Sequence, residues 1–363
     1  MIDVCDSCLR RAFLVARLAP RIAGLLQRPR PRPQSLLALS EEQLIAAVVG
    51  VPDPGIQDWL ESFDAEGARA RLRAAESWAI CAHASRYPAG LSQLTDPPAV
   101  LFGKGRFECL EQLGREPAVT LVGTRRPSAY GSEVAYALGR GLGAAGLMVV
   151  SGLALGIDGL THQGCVEAGG TPVAVLAGGP DRPYPHRHRW LYELVRSRGA
   201  ILSELPPGRR AFRWSFPARN RIMAGLAEMT IVVEAAEPSG SLITAEFARD
   251  LGRIVGAVPG RVTTRVAAGS NRLLQDGAAV VTGAEDVLDQ LYGVGCRPLP
   301  SPDEPQGDRL RTVLMAVEEC SDPAQIAGRA GLDAAEARAA LGRLESEGWI
   351  ARDSLGGYER RAR

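Results

Sequence analysis

AVTLVGTRRPSAYGSEVAYALGRGLGAAGLMVV, residues 118–150, decides the fold. Ala118 to Val122 is a short apolar run, broken only by Thr120. A Gly/Pro/Ser loop follows, then a helical stretch from Gly131 to Ala145 that Gly146 stops. Leu147 to Val150 is a second apolar run. A mainly apolar strand, followed by a helix and another such strand, predicts parallel strands buried on both faces. The pattern repeats outward, with strands expected at Pro172–Leu176, Ala200–Leu202, Met229–Val233, Ile254–Val258 and Ala279–Val281. The expected fold class is therefore α/β, a Rossmann-like parallel sheet of six or seven strands.

The flanks have a different grammar. Residues 1–86 read as short helices, one from Glu41 to Val49 behind Ser40 as N-cap and one from Asp64 to His83. RPRPRP at 28–33 reads as a stiff, extended connector. Residues 293–307 carry four prolines and read as a linker. Residues 308–363 predict three helices and two short strands, a winged helix-turn-helix pattern. The expected domains are thus 1–86, helical; 87–292, Rossmann-like; and 308–363, winged helix.

The chain has 363 residues, 42 basic and 41 acidic, so no global field draws it to nucleic acid and basicity must be judged locally. The longest uncharged run, Gly141 to Ile157, reads as a helix end, a glycine stop and a buried strand. With no signal segment visible at the start, a soluble cytoplasmic protein is expected. Seven scattered cysteines do not make a disulfide framework. Cys5-x-x-Cys8 is a single pair, and the nearest further ligands, Cys81 and His83, are far along the chain. It reads as small half-buried residues, and no metal is expected.

In a doubly wound sheet, ligands bind beyond the carboxyl ends of the strands. The loop Gly123 to Gly131 lacks GxGxxG spacing but brings Arg125, Arg126, two hydroxyl side chains and a helix start, which suits an anion. Ser151 and Gly152 open the next loop, whose small residues permit close approach. Asp158 and His162 share a helix face, either as an acid/base pair or, the favoured reading, with the carboxylate orienting the ring. From Arg182 to Arg221 there are ten arginines against two acids, interleaved with Tyr184, Trp190, Phe212, Trp214 and Phe216. Arginine with aromatics is the composition of a single-strand groove. Trp190 is expected in the core. Ser239, Gly240 and Ser241 at a helix start form an anion nest, with Thr244 one turn inside. Glu246 is either a catalytic acid or a partner for Arg219 or Arg221.

In order, these loops resemble the DNA processing protein A (DprA/Smf) family. The residues are VGTRRPSAYG (122–131), SGLALGID (151–158) with His162, Pro183-Tyr184-Pro185, Ser203-Glu204, FPARNRI (216–222), Glu234-Ala235, SGSLITAE (239–246), Val258-Pro259-Gly260, Gly269-Ser270-Asn271 and Gly277-Ala278. The N-terminal helical part, of SAM-like type, and the tail also resemble family domains. The resemblance implies a non-enzymatic recombination mediator without a cofactor. Such a protein binds single-stranded DNA, displaces or bypasses single-strand binding protein, loads RecA recombinase during natural transformation, and acts as a homodimer. It carries DNA binding onto Arg125, Arg213, Phe216, Arg219, Asn220 and Arg221. With the loops read above, the expected contacts also include Arg126, Ser151, Gly152, Ser239, Gly240, Ser241 and Thr244. A double glycine, Gly169-Gly170, is followed by Thr171-Pro172 where many members have a basic residue. The residues leave a second reading open, a Rossmann-group enzyme such as a phosphoribohydrolase, with Glu246 as acid and Arg219 as phosphate clamp. The tail, with nine arginines against ten acids from Gln306 to Arg363, is expected mainly to contact protein or to bind duplex only weakly.

Overall fold

A computed structural model describes residues 1–26, 36–50, 53–113, 115–296, 308–346, 348–353 and 356–361. The expected connector at 28–33 and most of the expected linker at 293–307 lie outside these. The chain divides into two compact units, Met1–Pro298 and Leu299–Arg363.

The first unit is built on a ten-stranded sheet. Its strands are β1 (Ile2–Asp3), β2 (Trp78–Cys81), β3 (Val100–Gly105), β4 (Ala118–Val122), β5 (Met148–Ser151), β6 (Thr171–Leu176), β7 (Ala200–Ser203), β8 (Met229–Val232), β9 (Ile254–Ala257) and β10 (Ala279–Val280). They lie in the order β1-β2-β3-β7-β6-β5-β4-β8-β9-β10. The seven strands from β4 onward are parallel, as their mainly apolar runs predict. β4 stands between β5 and β8, so the winding reverses there and a crevice opens at the carboxyl ends of β4, β5 and β8.

The other three strands extend the sheet beyond the sequence expectation. The helix expected over Asp64–His83 ends at Ala74, Glu76 takes φ 50°, and the chain turns into β2. Trp78, Ala79, Ile80 and Cys81 are all buried, so this run has no polar face to present as a helix. β2 and β7 both pair antiparallel with β3, and β1 lies parallel to β2.

The sheet core is apolar on both faces, with Leu101, Val150, Val175, Leu202 and Ile222 at or near zero exposure. Burying each such side chain stabilises by about 1.5–3 kcal/mol. Helix Asp6–Leu25 and helix Glu41–Val49, the latter with Ser40 in a capping box with Gln43, share a second core with Leu205 and Trp214. The Trp214 indole N–H donates to the Ala19 carbonyl at 3.1 Å. Among the described residues no helix is long and apolar enough to cross a membrane. The uncharged run at Gly141–Ile157 divides between a helix end, β5 and a loop.

β1 and β2 bring distant residues together. Cys5, Cys8, Cys81 and His83 place their ligand atoms within 4.8 Å of one another. The expectation that Cys5 and Cys8 lack further ligands is corrected: separation along the chain is removed by strand pairing.

The second unit has helices Asp308–Glu319, Pro323–Ala330 and Ala334–Ser346, then an antiparallel pair, β11 (Ile350–Arg352) and β12 (Tyr358–Arg360). Asp322 caps the second helix, Gly331 ends it at φ 64°, and Asp333 accepts from the Ala335 and Glu336 N–H groups. Leu310, Val313, Ile326, Leu344 and Trp349 form its own core.

Candidate nucleic-acid interface

The crevice at the winding reversal is a cleft of about 350 Å³, walled by Arg125, Phe216, Arg219, Asn220, the Ser239–Ser241 turn and Thr244. A narrower hollow of about 60 Å³ adjoins it and shares Arg125, Ala154, Phe216 and Arg219. Gly152, Leu155 and Tyr184 line this hollow. At the join, the Arg125 guanidinium lies over the Phe216 ring, 5.1 Å from its centroid. The Tyr184 ring is 5.6 Å from Phe216 on a tilted plane. Arg125 and Tyr184 are exposed and Phe216 half-buried, so cation and rings face solvent together.

Arg219 forms the floor. It is nearly buried, and its Nη1 donates to the carbonyls of Gly152 and Val175, both at 2.6 Å. Its Nη2 stands 3.7 Å from the Asp158 carboxylate. Burial lowers its pKa, with Arg125 adding to this and Asp158 opposing it. Burial likewise pushes the Asp158 carboxyl up, with Arg219 pulling it back. The guanidinium thus ties the ends of β5 and β6 together beneath the cleft. A methyl group at Gly152 would sit 2.2 Å from that guanidinium and so push Arg219 off the Gly152 and Val175 carbonyls. Asp158 turns to Arg219 and to the Ala154 N–H, not to His162 as expected. His162 is fully buried, and burial holds its imidazole down to about 3.

Helix Gly240–Asp250 starts on the cleft wall. Ser239 caps it by accepting from the Ser241 N–H, and Asn220 Nδ2 donates to the Gly240 carbonyl at 3.0 Å. Its positive end faces the same space as Arg125. The Thr244 hydroxyl is buried and has no protein partner among the described residues.

Several expected contacts are placed elsewhere. Arg221 has zero exposure, its fork donating to both Glu204 oxygens at 2.9 and 2.7 Å and its Nε lying 2.8 Å from Asp96. Burial opposes its charge, but Glu204 and Asp96 outweigh that and raise its pKa. It is a buried ion-pair hub with no atom free for DNA. Ser151 is also fully buried, its hydroxyl donating to the Leu121 carbonyl at 2.6 Å. Arg126 and Arg213 are exposed but lie outside the cleft lining. The helix start at Ala129, read as an anion site, already holds an internal anion: Glu234 accepts from the Ser128 N–H and hydroxyl, both at 2.8 Å. Trp190, expected in the core, is 51% exposed, and Trp214 takes the core position at 4%. The Gly169-Gly170 pair precedes β6, at the strands' amino ends and opposite the cleft.

Tyr184, Leu155 and Asp158 complete the site. Their sequence signals were the strand-end loop for Leu155, the helix start after that loop for Asp158, and flanking prolines for Tyr184. Glu246, the acid a hydrolase reading requires, is exposed, outside the cleft lining, and pairs with neither Arg219 nor Arg221.

Residues 78–292 match the family described as DNA recombination-mediator protein A. The chain is 43% identical over 206 residues to DNA processing protein DprA of Bacillus subtilis, covering 57% of this chain and 68% of that one. The X-ray structure of DprA from Streptococcus pneumoniae superposes with a TM-score of 0.62 at 31% identity, over 78% of this chain and 96% of that one. A DprA structure from Helicobacter pylori, described as giving insight into that protein's single-stranded DNA binding mode, superposes with a TM-score of 0.52 at 28% identity, over 56% of this chain and 92% of that one. With its winding reversal, strand-end loops and ordered motifs in place, the chain belongs to the DNA recombination-mediator protein A family, whose members are mediators and not enzymes.

Proposed function

We propose that this chain binds single-stranded DNA in the cleft at the carboxyl ends of β4, β5 and β8, and passes the strand to a RecA-type recombinase. The observation that carries the reading is the group of exposed Arg125 and Tyr184 about half-buried Phe216 where the two hollows join. A phosphate meets Arg125 and the helix start at Ser239–Ser241, and a base meets the Phe216 ring. Arg219 and Asn220 shape the floor and wall, with Gly152 and Thr244 beside them. Arg126 and Arg213 extend the positive surface outside the cleft. The single-strand binding mode described for the H. pylori relative supports the same ligand here. Exchange with single-strand binding protein, a role in natural transformation, a cytoplasmic location, a homodimer and a winged-helix tail belong to the same proposal and rest on the family.

Fluorescence anisotropy with labelled oligothymidylate tests it. Log affinity is expected to fall linearly with log salt, and Arg125→Ala to weaken binding and lower the slope by about 0.7, one single-strand phosphate's share. No binding at low salt, or an Arg125→Ala variant identical to the parent, would end the reading. RecA loading is read separately, as faster RecA filament growth on strands coated with single-strand binding protein.

A further inference from the structure

A second cluster lies apart from the cleft. Cys5 is the N-cap of helix Asp6–Leu25, and Cys8 is one turn inside it. β1 pairs with β2 in the register Ile2↔Ala79 and Asp3↔Ile80, which carries Cys5 to the end of β2. β2 ends at Cys81, and a turn closed by the Ala84 N–H on the Cys81 carbonyl returns His83 to the cluster. His83 Nδ1 is 3.4 Å from both Cys5 Sγ and Cys8 Sγ. All four ligand atoms lie within 4.8 Å of one another. Cys8 and Cys81 are buried, Cys5 is half-buried and His83 is exposed. None of the three cysteines is in a disulfide.

This spacing fits a tetrahedral metal. With Zn–S near 2.3 Å and Zn–N near 2.0–2.1 Å, a tetrahedral site has S···N edges of roughly 3.5 Å and S···S edges of roughly 3.8 Å. The two measured S···N distances already match, and the widest separation needs to contract by about 1 Å. Three thiolates and an imidazole are a zinc donor set, and four protein ligands leave no open position, as in a structural site.

We infer that Cys5, Cys8, Cys81 and His83 form a closed zinc site that staples the amino-terminal helix to the β1–β2 margin of the sheet. On binding, the three thiols release their protons to solvent, and His83 coordinates through Nδ1 with its proton on Nε2. No oxidation state changes. Five strand spacings, about 24 Å, separate β2 from β4, so the metal acts on the fold and not in the cleft.

The test is metal analysis of the full, untagged chain purified without chelator. About one zinc per chain is expected, falling below a tenth of that in Cys8→Ser and staying unchanged in Cys296→Ser. Because Cys8→Ser can lose metal by misfolding, cobalt exchange is done on the parent chain. Intense thiolate-to-cobalt charge transfer with tetrahedral d–d bands is expected, and Cys5→Ser should lose one thiolate's share. Zinc removal should lower Tm while leaving oligothymidylate affinity per folded molecule unchanged. Four results would overturn the inference: no zinc bound by the reduced chain, full zinc retained by Cys8→Ser, cobalt bands lacking thiolate character, or an unreduced mass two hydrogens short.

Discussion

Phe216 and Arg221 stand five positions apart in one motif and do unlike jobs. Phe216 faces the cleft under Arg125, whereas Arg221 is sealed between Glu204 and Asp96. Phe216→Ala should weaken oligothymidylate binding by about 1–3 kcal/mol, the worth of one base stack, and leave the urea midpoint near that of the parent. Arg221→Ala should do the reverse. Stranding Asp96 and Glu204 without their cation costs about 3–5 kcal/mol, visible as a lowered urea midpoint, while any folded fraction still binds DNA. The motif announces phosphate chemistry in the sequence, but its division of labour depends on acids 17 and 125 residues away. No local pattern around Arg221 records them. Ser151 was unreadable for the same reason, since its hydroxyl is taken by a carbonyl on the neighbouring strand.

At the scale of elements, helix Ile157–Glu167 carries a pH dependence. Burial depresses His162 to about 3 from its ordinary 6.5. The unfolded chain therefore takes up a proton near 6.5 that the folded chain refuses. This residue's contribution is fully present above 6.5 and is lost as pH falls toward 3. Between pH 7 and pH 5 the parent should lose about 2 kcal/mol more stability than His162→Leu, measured from urea midpoints at the two values. The seven parallel strands were legible because each is a short, mainly apolar run flanked by a helix. β2 was not, since its four residues continue the apolar spacing of the helix before it, and two-residue β1 shows no period at all. The cleft was legible as a set of loops because strand–helix alternation fixes which strand ends carry them. The occupation of the Ala129 helix start by Glu234 was not, because that needs β8 beside β4.

For the whole molecule, the charge balance separates the two units. In the second, Arg309 pairs with Glu336 at 2.9 Å, and Arg329 and Arg360 pair with Glu319 and Glu318. A chain ending at Cys296 should therefore keep its oligothymidylate affinity. A loss beyond about tenfold, or ~1.4 kcal/mol, in anisotropy titrations would assign DNA contacts to the tail. Strand order also sets a schedule. β3 ends at Gly105 and its partner β7 begins at Ala200, while β4 pairs with β8 across a still longer stretch of chain. At about 5–20 residues per second, a ribosome takes ~5–20 s to deliver β7 after β3. During that interval the amino-terminal strands have each other but no inner neighbour, and the nascent chain is most exposed to capture by chaperones before the sheet can close.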